Sequence, residues 1–289
     1  MPSAAPPAPS LPPTAALAPG RGGQDRLLVD APAGAGEIYL HGAHLTTWVP
    51  TGCSEVLFTS RQAVFDGSRA IRGGVPLCLP WFGPGPSGTM TPAHGWARTS
   101  RWELRSASST PDGGVRALLS LTRDSLTALY EVEVGRDLTM TLSLRNDAAA
   151  PRIVEAALHS YLALHDVTAS RVRGLEGAEF YDNLTGTAGH VQHGELAVDG
   201  PVDRIYRSDA TVRVTDPGHG RTLVVSGRGS ASTVVWNPWA EGAAAFTDMA
   251  DDEFASMLCV ETAAVRADAP VIEPGESWSM QARLAVEPL

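Results

Sequence analysis

The sequence predicts an all-β protein built as one large antiparallel β-sandwich. Three observations predict it. Apolar and polar residues alternate with a period of two in several segments. Turns rich in Gly and Pro separate those segments. No long stretch keeps the 3.6-residue period of a helix. Of the 289 residues, 43% are apolar, enough for one large core. All-β units of roughly 200–250 residues commonly form a single domain.

The chain opens with MPSAAPPAPSLPPTAALAPG, a Pro/Ala-rich stretch. It lacks the basic start of a signal peptide, and prolines interrupt its apolar run. Residues 1–24 are therefore expected to be a disordered tail, and 25–289 a single domain. Residues 37–48 and 101–105 read as extended. LYEVEV at 129–134 and LTMTLSL at 138–144 alternate strictly, and Gly135-Arg136-Asp137 joins them as a hairpin turn. Residues 211–215 and 222–226 flank DPGHG as a second hairpin. Residues 277–285 place Trp278, Met280, Ala282 and Leu284 on one face.

Composition excludes several functions. The formal net charge of −10 repels nucleic acid and anionic membranes. It does not exclude a small anion, because a local arginine cluster dominates within a Debye length of about 8–10 Å. All 22 basic residues are arginine, so there is no lysine for a Schiff base or a phosphate-binding loop. Any phosphate must be held by arginine or by backbone N–H groups. Cys53, Cys78 and Cys259 are widely spaced and form no CxxC pair, which reads as reduced cysteines in the cytoplasm. No stretch approaches 18 consecutive apolar residues.

Some motifs are decoys. GPGPSG at 83–88 matches GxGxxG, but two prolines interrupt it and no helix pattern follows. His190 and His193 lack a third ligand, which gives no metal site. Asp248, Asp251, Asp252 and Glu253 lack calcium-loop spacing and read as a solvated loop. Asn183-Leu184-Thr185 is a glycosylation sequon read as accidental.

Three segments carry candidate chemistry. In IVEAALHSYLALH at 153–165, Val154, Ala156, Leu158, Leu162 and Leu164 share one strand face. Glu155, Ala157, His159, Tyr161, Ala163 and His165 share the other, where small alanines leave room above His159. A half-solvated strand face is the bland alternative. In HGWAR at 94–98, an extended chain points His94, Trp96 and Arg98 the same way, a set suited to a sugar phosphate. Glu261 ends the apolar run MLCVE, where partial burial would raise its pKa toward that of a neutral-pH base. A surface glutamate at a strand end is the bland alternative there.

Six blocks then occur in order: IRGGVPLCLPWFGP, HGWARTSRWEL, EAALHSYL, VDRIY, VVWNPW and DDEFASMLCVETAAV. Together they resemble the glucose-6-phosphate 1-epimerases, or hexose-6-phosphate mutarotases, of the galactose mutarotase-like superfamily. The resemblance runs from about residue 30 to the C-terminus. It implies a large antiparallel sandwich with its site on one sheet, no metal and no organic cofactor. His159 matches the family's catalytic histidine and Glu261 its catalytic glutamate. His94 matches a second site histidine, Asp203 a substrate-binding aspartate, and Arg72 and Arg98 arginines near the phosphate. Trp236 and Asn237 are expected to line the wall.

On this reading Glu261 removes the proton of the C1 hydroxyl and His159 delivers one to the ring oxygen, with roles reversed on closure. The expected partner is a small-molecule hexose 6-phosphate, with no nucleic acid and no membrane, and the expected state is a monomer. Three rivals stay open: an aldose 1-epimerase acting on unphosphorylated sugar, a non-catalytic carbohydrate-binding β-sandwich, and a bacterial β-sandwich of other role whose histidine is buried and structural.

Overall fold

The structure, a computed structural model, describes residues 10–289. Among the described residues the regular secondary structure is almost all strand, with one short α-helix at Trp239–Ala244 and short 3₁₀ turns. The predicted all-β antiparallel architecture is the one observed. The hairpin Leu126–Val134 and Leu138–Asn146 pairs in full register, Val134 opposite Leu138 and Leu126 opposite Asn146. Its period-two pattern sends Leu138, Met140, Leu142 and Leu144 to one buried face. Each such side chain contributes about 1.5–3 kcal/mol on burial.

This hairpin lies inside a nine-stranded sheet, with two strands on one side and five on the other. On one side lie Val115–Arg123 and Glu103–Ser109. On the other, Ser277–Pro288 leads to Arg221–Arg228, Val212–Asp216, Arg171–Arg173 and Leu196–Ala197. A four-stranded sheet runs Ala15–Pro19, Asp25–Ala31, Gly34–Tyr39 and His44–Pro50. The extended reading of 37–48 is broken in the middle by Gly42 and Ala43, both at positive φ, which reverse the chain. Trp48 ties this sheet to the central hairpin by donating its indole N–H to the Gly135 carbonyl at 3.0 Å.

An eight-stranded sheet runs Thr187–Val191, Glu179–Asp182, Val202–Tyr206, Ser232–Asn237, Met257–Ala264, Ala156–Leu158 and Leu77–Cys78, with Tyr161–Ala163 also paired to Met257–Ala264. Buried side chains of these three sheets form one continuous cluster that includes Ile38, Leu142 and Val260. No helix among the described residues is long and apolar enough to cross a membrane.

The expectation of a disordered tail through residue 24 is corrected. Ala15–Pro19 pairs antiparallel with Asp25–Ala31, Ala15 opposite Val29 and Pro19 opposite Asp25. Leu11 and Ala15 pack against the core. Composition hid this strand because an edge strand is held by backbone hydrogen bonds and tolerates proline there. The part of that expectation covering residues 1–9 lies outside the described residues.

Candidate active site

The eight-stranded sheet has two unlike faces, and period-two alternation sorts its side chains between them. Leu258 and Val260 enter the main core, as do Val235, Tyr206 and Leu158. Cys259 and Glu261, Val234 and Trp236, and Asp203 and Ile205 therefore take the other face. Register places Asp203 opposite Trp236, Val234 opposite Glu261, and Cys259 opposite both Trp236 and Tyr161. The 153–165 segment is broken into Arg152–Ile153, Ala156–Leu158 and Tyr161–Ala163, but its alternation survives. Val154, Ala156, Leu158, Leu162 and Leu164 are in the main core, and the rings of His159 and Tyr161 stack at 4.9 Å on the opposite face.

That face floors a hollow of about 1170 Å³. Small-molecule sites commonly span about 300–1,000 Å³, so this one exceeds a single hexose. Arg72, His94, Arg98, His159, Asp203, Trp236 and Glu261 all line it. His159 Nε2 lies 3.3 Å from Glu261 Oε1. Both side chains are nearly sealed from solvent, yet His159 Nδ1 and Glu261 Oε2 bond to no protein group. Burial pushes the Glu261 carboxyl well above its ordinary range, and the nearby Asp203 carboxylate adds to the rise. Burial lowers the His159 pKa, helped by His94, Arg98 and Arg72.

His94 sits at the end of a turn, at positive φ, followed by Gly95 at positive φ. Its Nδ1 accepts the Gly83 N–H at 3.3 Å and lies 3.2 Å from the Cys78 thiol. That assigns its proton to Nε2, which leaves a donor for a ligand. Burial, then Arg98 and Arg72, depress its pKa to about 3, so the ring is neutral. Its ring lies 5.6 Å from that of His159.

Arg72 is held on three sides. Nε and Nη2 donate to the Asp248 carboxylate, Nη1 donates to the Tyr161 hydroxyl at 3.2 Å, and the guanidinium lies over the Phe246 ring. Arg98 spends one donor, Nη2 to the Ala93 carbonyl at 2.8 Å. Asn183 donates to Asp203 Oδ1 at 2.6 Å and orients it. Burial raises the Asp203 pKa against that hydrogen bond.

Two sequence expectations for site residues are corrected. Asn237 does not line the hollow. It follows Trp236 on the strand, so it faces the other way. There its Nδ2 donates to the carbonyls of Phe254 and Met257, and its Oδ1 accepts the Trp239 N–H. Trp96 does not share a face with His94 and Arg98. The segment is a turn followed by the 3₁₀ helix Ala97–Thr99, not a strand, and Trp96 is buried in the main core.

The acidic run 248–253 is likewise not a solvated loop throughout. Asp248 and Glu253 are both buried. Glu253 accepts from the Ser60 hydroxyl at 2.6 Å and from the backbone of Arg61 and Ala250.

Sequence reasoning also missed Phe82, Arg266 and the role of Glu155, which line the same hollow. Glu155 Oε2 accepts the Phe82 N–H at 2.9 Å, and Oε1 accepts the Arg266 N–H at 2.8 Å. One buried carboxylate thus ties the 82–94 loop to the end of Met257–Ala264. Phe82 in turn packs edge-on against His94 at 4.8 Å. The signal was present: Glu155 has the strand parity of His159. Glu155→Gln leaves an amide N–H facing a backbone N–H. It is expected to cost about 1–3 kcal/mol of stability and to raise KM more than it lowers kcat. Thermal unfolding and steady-state kinetics check both.

Comparison with known proteins places this geometry. Residues 26–285 match the family described as aldose 1-epimerase. A protein of Cenchrus ciliaris provisionally named glucose-6-phosphate 1-epimerase is 33% identical over 272 residues, covering 87% of this chain and 81% of its own. One of the same provisional name from Escherichia coli K12 is 33% identical over 251 residues, covering 83% of each. The crystal structure of a provisionally named mutarotase from Salmonella typhimurium superposes with a TM-score of 0.88 at 28% identity, covering 97% of this chain and 96% of that one. A galactose mutarotase-like protein from Clostridium acetobutylicum, at 14% identity and a TM-score of 0.71, shares the fold over 95% of this chain. The chain belongs to the aldose 1-epimerase family and interconverts the α and β anomers of a sugar.

Proposed function

We propose that the sugar is a hexose 6-phosphate, glucose 6-phosphate in the first place, and that His159 and Glu261 open and reclose its ring. The observation that carries the proposal is the contact of His159 Nε2 with Glu261 Oε1 at 3.3 Å, in a hollow that also presents Arg72 and Arg98. Opening removes the proton of the C1 hydroxyl and delivers one to the ring oxygen. Glu261 takes the first and His159 gives the second. Rotation about C1–C2 and the reverse transfers close the other anomer. Each transfer is typically worth about 10²–10⁴-fold.

The electrostatics suit this cycle. The pair needs one proton in total. With the closed sugar that proton is on His159, and with the open aldehyde it is on Glu261. Burial favours the neutral imidazole and the neutral carboxyl, which is the state of the open-chain intermediate. Relative to water, the neutral pair is thereby stabilised against the ion pair.

A pH prediction follows from these directions. Below the lowered limit of His159 the pair takes a second proton. Above the raised limit of Glu261 it loses its only one. The acid limb of kcat is therefore expected below the ordinary imidazole range, where His159 is held down by burial, and the alkaline limb above the ordinary carboxylate range, where Glu261 is held up. Asp203→Asn removes a charge that raises the Glu261 limit, so the alkaline limb moves to lower pH. A pH profile of anomer exchange in both proteins measures this; an unmoved limb contradicts it.

His94 Nε2–H donates to the ring oxygen or a neighbouring hydroxyl, Asp203 accepts from sugar hydroxyls, and Trp236 forms a wall. Arg72 keeps two of its five donors free and Arg98 keeps four, enough to clamp a phosphate dianion between them. The names of the relatives from Cenchrus ciliaris and Escherichia coli support the same substrate. The free thiols of Cys53, Cys78 and Cys259 suit a cytoplasmic enzyme, and a monomer suffices, because the proposed residues are all on one chain. NMR exchange spectroscopy tests the substrate directly. Glucose 6-phosphate should exchange anomers with a far higher kcat/KM than glucose. Equal use of both sugars favours the reading as an aldose 1-epimerase of free sugars.

A further inference from the structure

We infer that His159 and Glu261, at the floor of the hollow, form with Cys259 buried beside them a binding site for a thiophilic divalent cation, Zn²⁺ above all, and that the ion inhibits the enzyme. Their ligating atoms all lie within 4.8 Å of one another, and all three side chains are buried. The pairings come from the sheet itself. Cys259 and Glu261 are two residues apart on one strand, and Cys259 is opposite Tyr161, on which His159 stacks.

The donor set is diagnostic. Thiolate, imidazole and carboxylate together suit Zn²⁺ or Cd²⁺, whereas Mg²⁺ and Ca²⁺ need oxygen ligands. Tetrahedral zinc with bonds of about 2.0–2.3 Å sets its ligand atoms about 3.3–3.6 Å apart. His159 Nε2 and Glu261 Oε1 already stand at 3.3 Å, so closure requires a shift of about 1 Å by the thiol. On binding, the S–H proton and the one proton shared by His159 and Glu261 leave to solvent, and Zn–S, Zn–N and Zn–O bonds form. Glu261 Oε2 and His159 Nδ1, which bond to no protein group, leave the site uncommitted elsewhere. The fourth position opens to the hollow. Three arginines and three carboxylates line it, and one of the arginines, Arg72, is paired with Asp248.

The inhibition rests on the assignment of His159 and Glu261 as the reacting pair; the binding does not. Cys259 does not line the hollow and has no part in the proposed chemistry, so Cys259→Ser should exchange anomers at the wild-type rate. Cd²⁺ titrated into the full-length protein should produce a thiolate charge-transfer band at one ion per chain. The band should vanish in Cys259→Ser and in a second variant, Cys259→Ala, and persist in Cys53→Ser and Cys78→Ser. Zn²⁺ should inhibit wild-type exchange, with EDTA restoring it. The half-inhibitory concentration should rise at least about tenfold in either Cys259 variant.

Equal sensitivity of wild type and both Cys259 variants overturns the site, as does sensitivity that follows Cys78. A Cd²⁺ band that depends on Cys259 and Glu261 while exchange proceeds undiminished supports the site, and counts against the catalytic pair instead.

Discussion

Glu261→Gln should bind its sugar almost as tightly as wild type and exchange its anomers about 10²–10⁴-fold more slowly. The amide keeps the shape of the side chain but cannot take the proton of the C1 hydroxyl. It sits in the same buried position, opposite Val234 and 3.3 Å from the imidazole in the parent protein. His159→Asn should lose a similar factor, because the ring oxygen then has no acid. The two losses should not add. Once either partner is gone, the shared proton has nowhere to go, and the double variant should be little slower than the worse single one. Exchange rates from NMR and sugar affinities from calorimetry separate turnover from binding. A Glu261→Gln protein with wild-type turnover removes the carboxylate from the mechanism.

Arg98→Ala should cost glucose 6-phosphate about 10–100-fold in kcat/KM and leave free glucose unchanged. Hydrogen bonds to charged groups contribute about 1.5–3 kcal/mol, and only the phosphorylated sugar makes these. Arg72→Ala should behave differently, because Arg72 is also structural. Removing it strands the buried Asp248 carboxylate, and breaking such a pair costs about 3–5 kcal/mol of stability. Both sugars should therefore suffer. Arg72→Ala combined with Asp248→Asn should regain thermal stability without regaining preference for the phosphate. If neither arginine variant alters the ratio of the two substrates, the phosphate clamp is elsewhere.

Much of the fold is legible because period-two alternation is a local signal. The hairpin of LYEVEV and LTMTLSL and the two faces of residues 153–165 can be read without any partner strand. What was not legible depends on partners. Ala15–Pro19 has the composition of a linker, and its strand exists only through the ladder to Asp25–Ala31. The HGWAR segment reads as extended until the positive φ of His94 and Gly95 turns it and sends Trp96 into the core.

The candidate site divides in the same way. Asp203, Trp236 and Glu261 share one face because three neighbouring strands are in register, a fact spread over sixty residues of chain. The pairing of Asp248 with Arg72, and the anchoring of the 82–94 loop by Glu155, join residues more than sixty positions apart. No local pattern announces either. Asn237 could have been placed by strand parity alone, since its neighbour Trp236 faces the hollow and a strand does not send adjacent side chains the same way.

The most direct measurement is a crystal structure of Glu261→Gln with glucose 6-phosphate bound. The expected complex has O1 within hydrogen-bond reach of residue 261, the ring oxygen facing the His159 imidazole, and the phosphate against Arg72 and Arg98. A sugar seated with C1 turned away from both side chains, or a phosphate touching neither guanidinium, contradicts it.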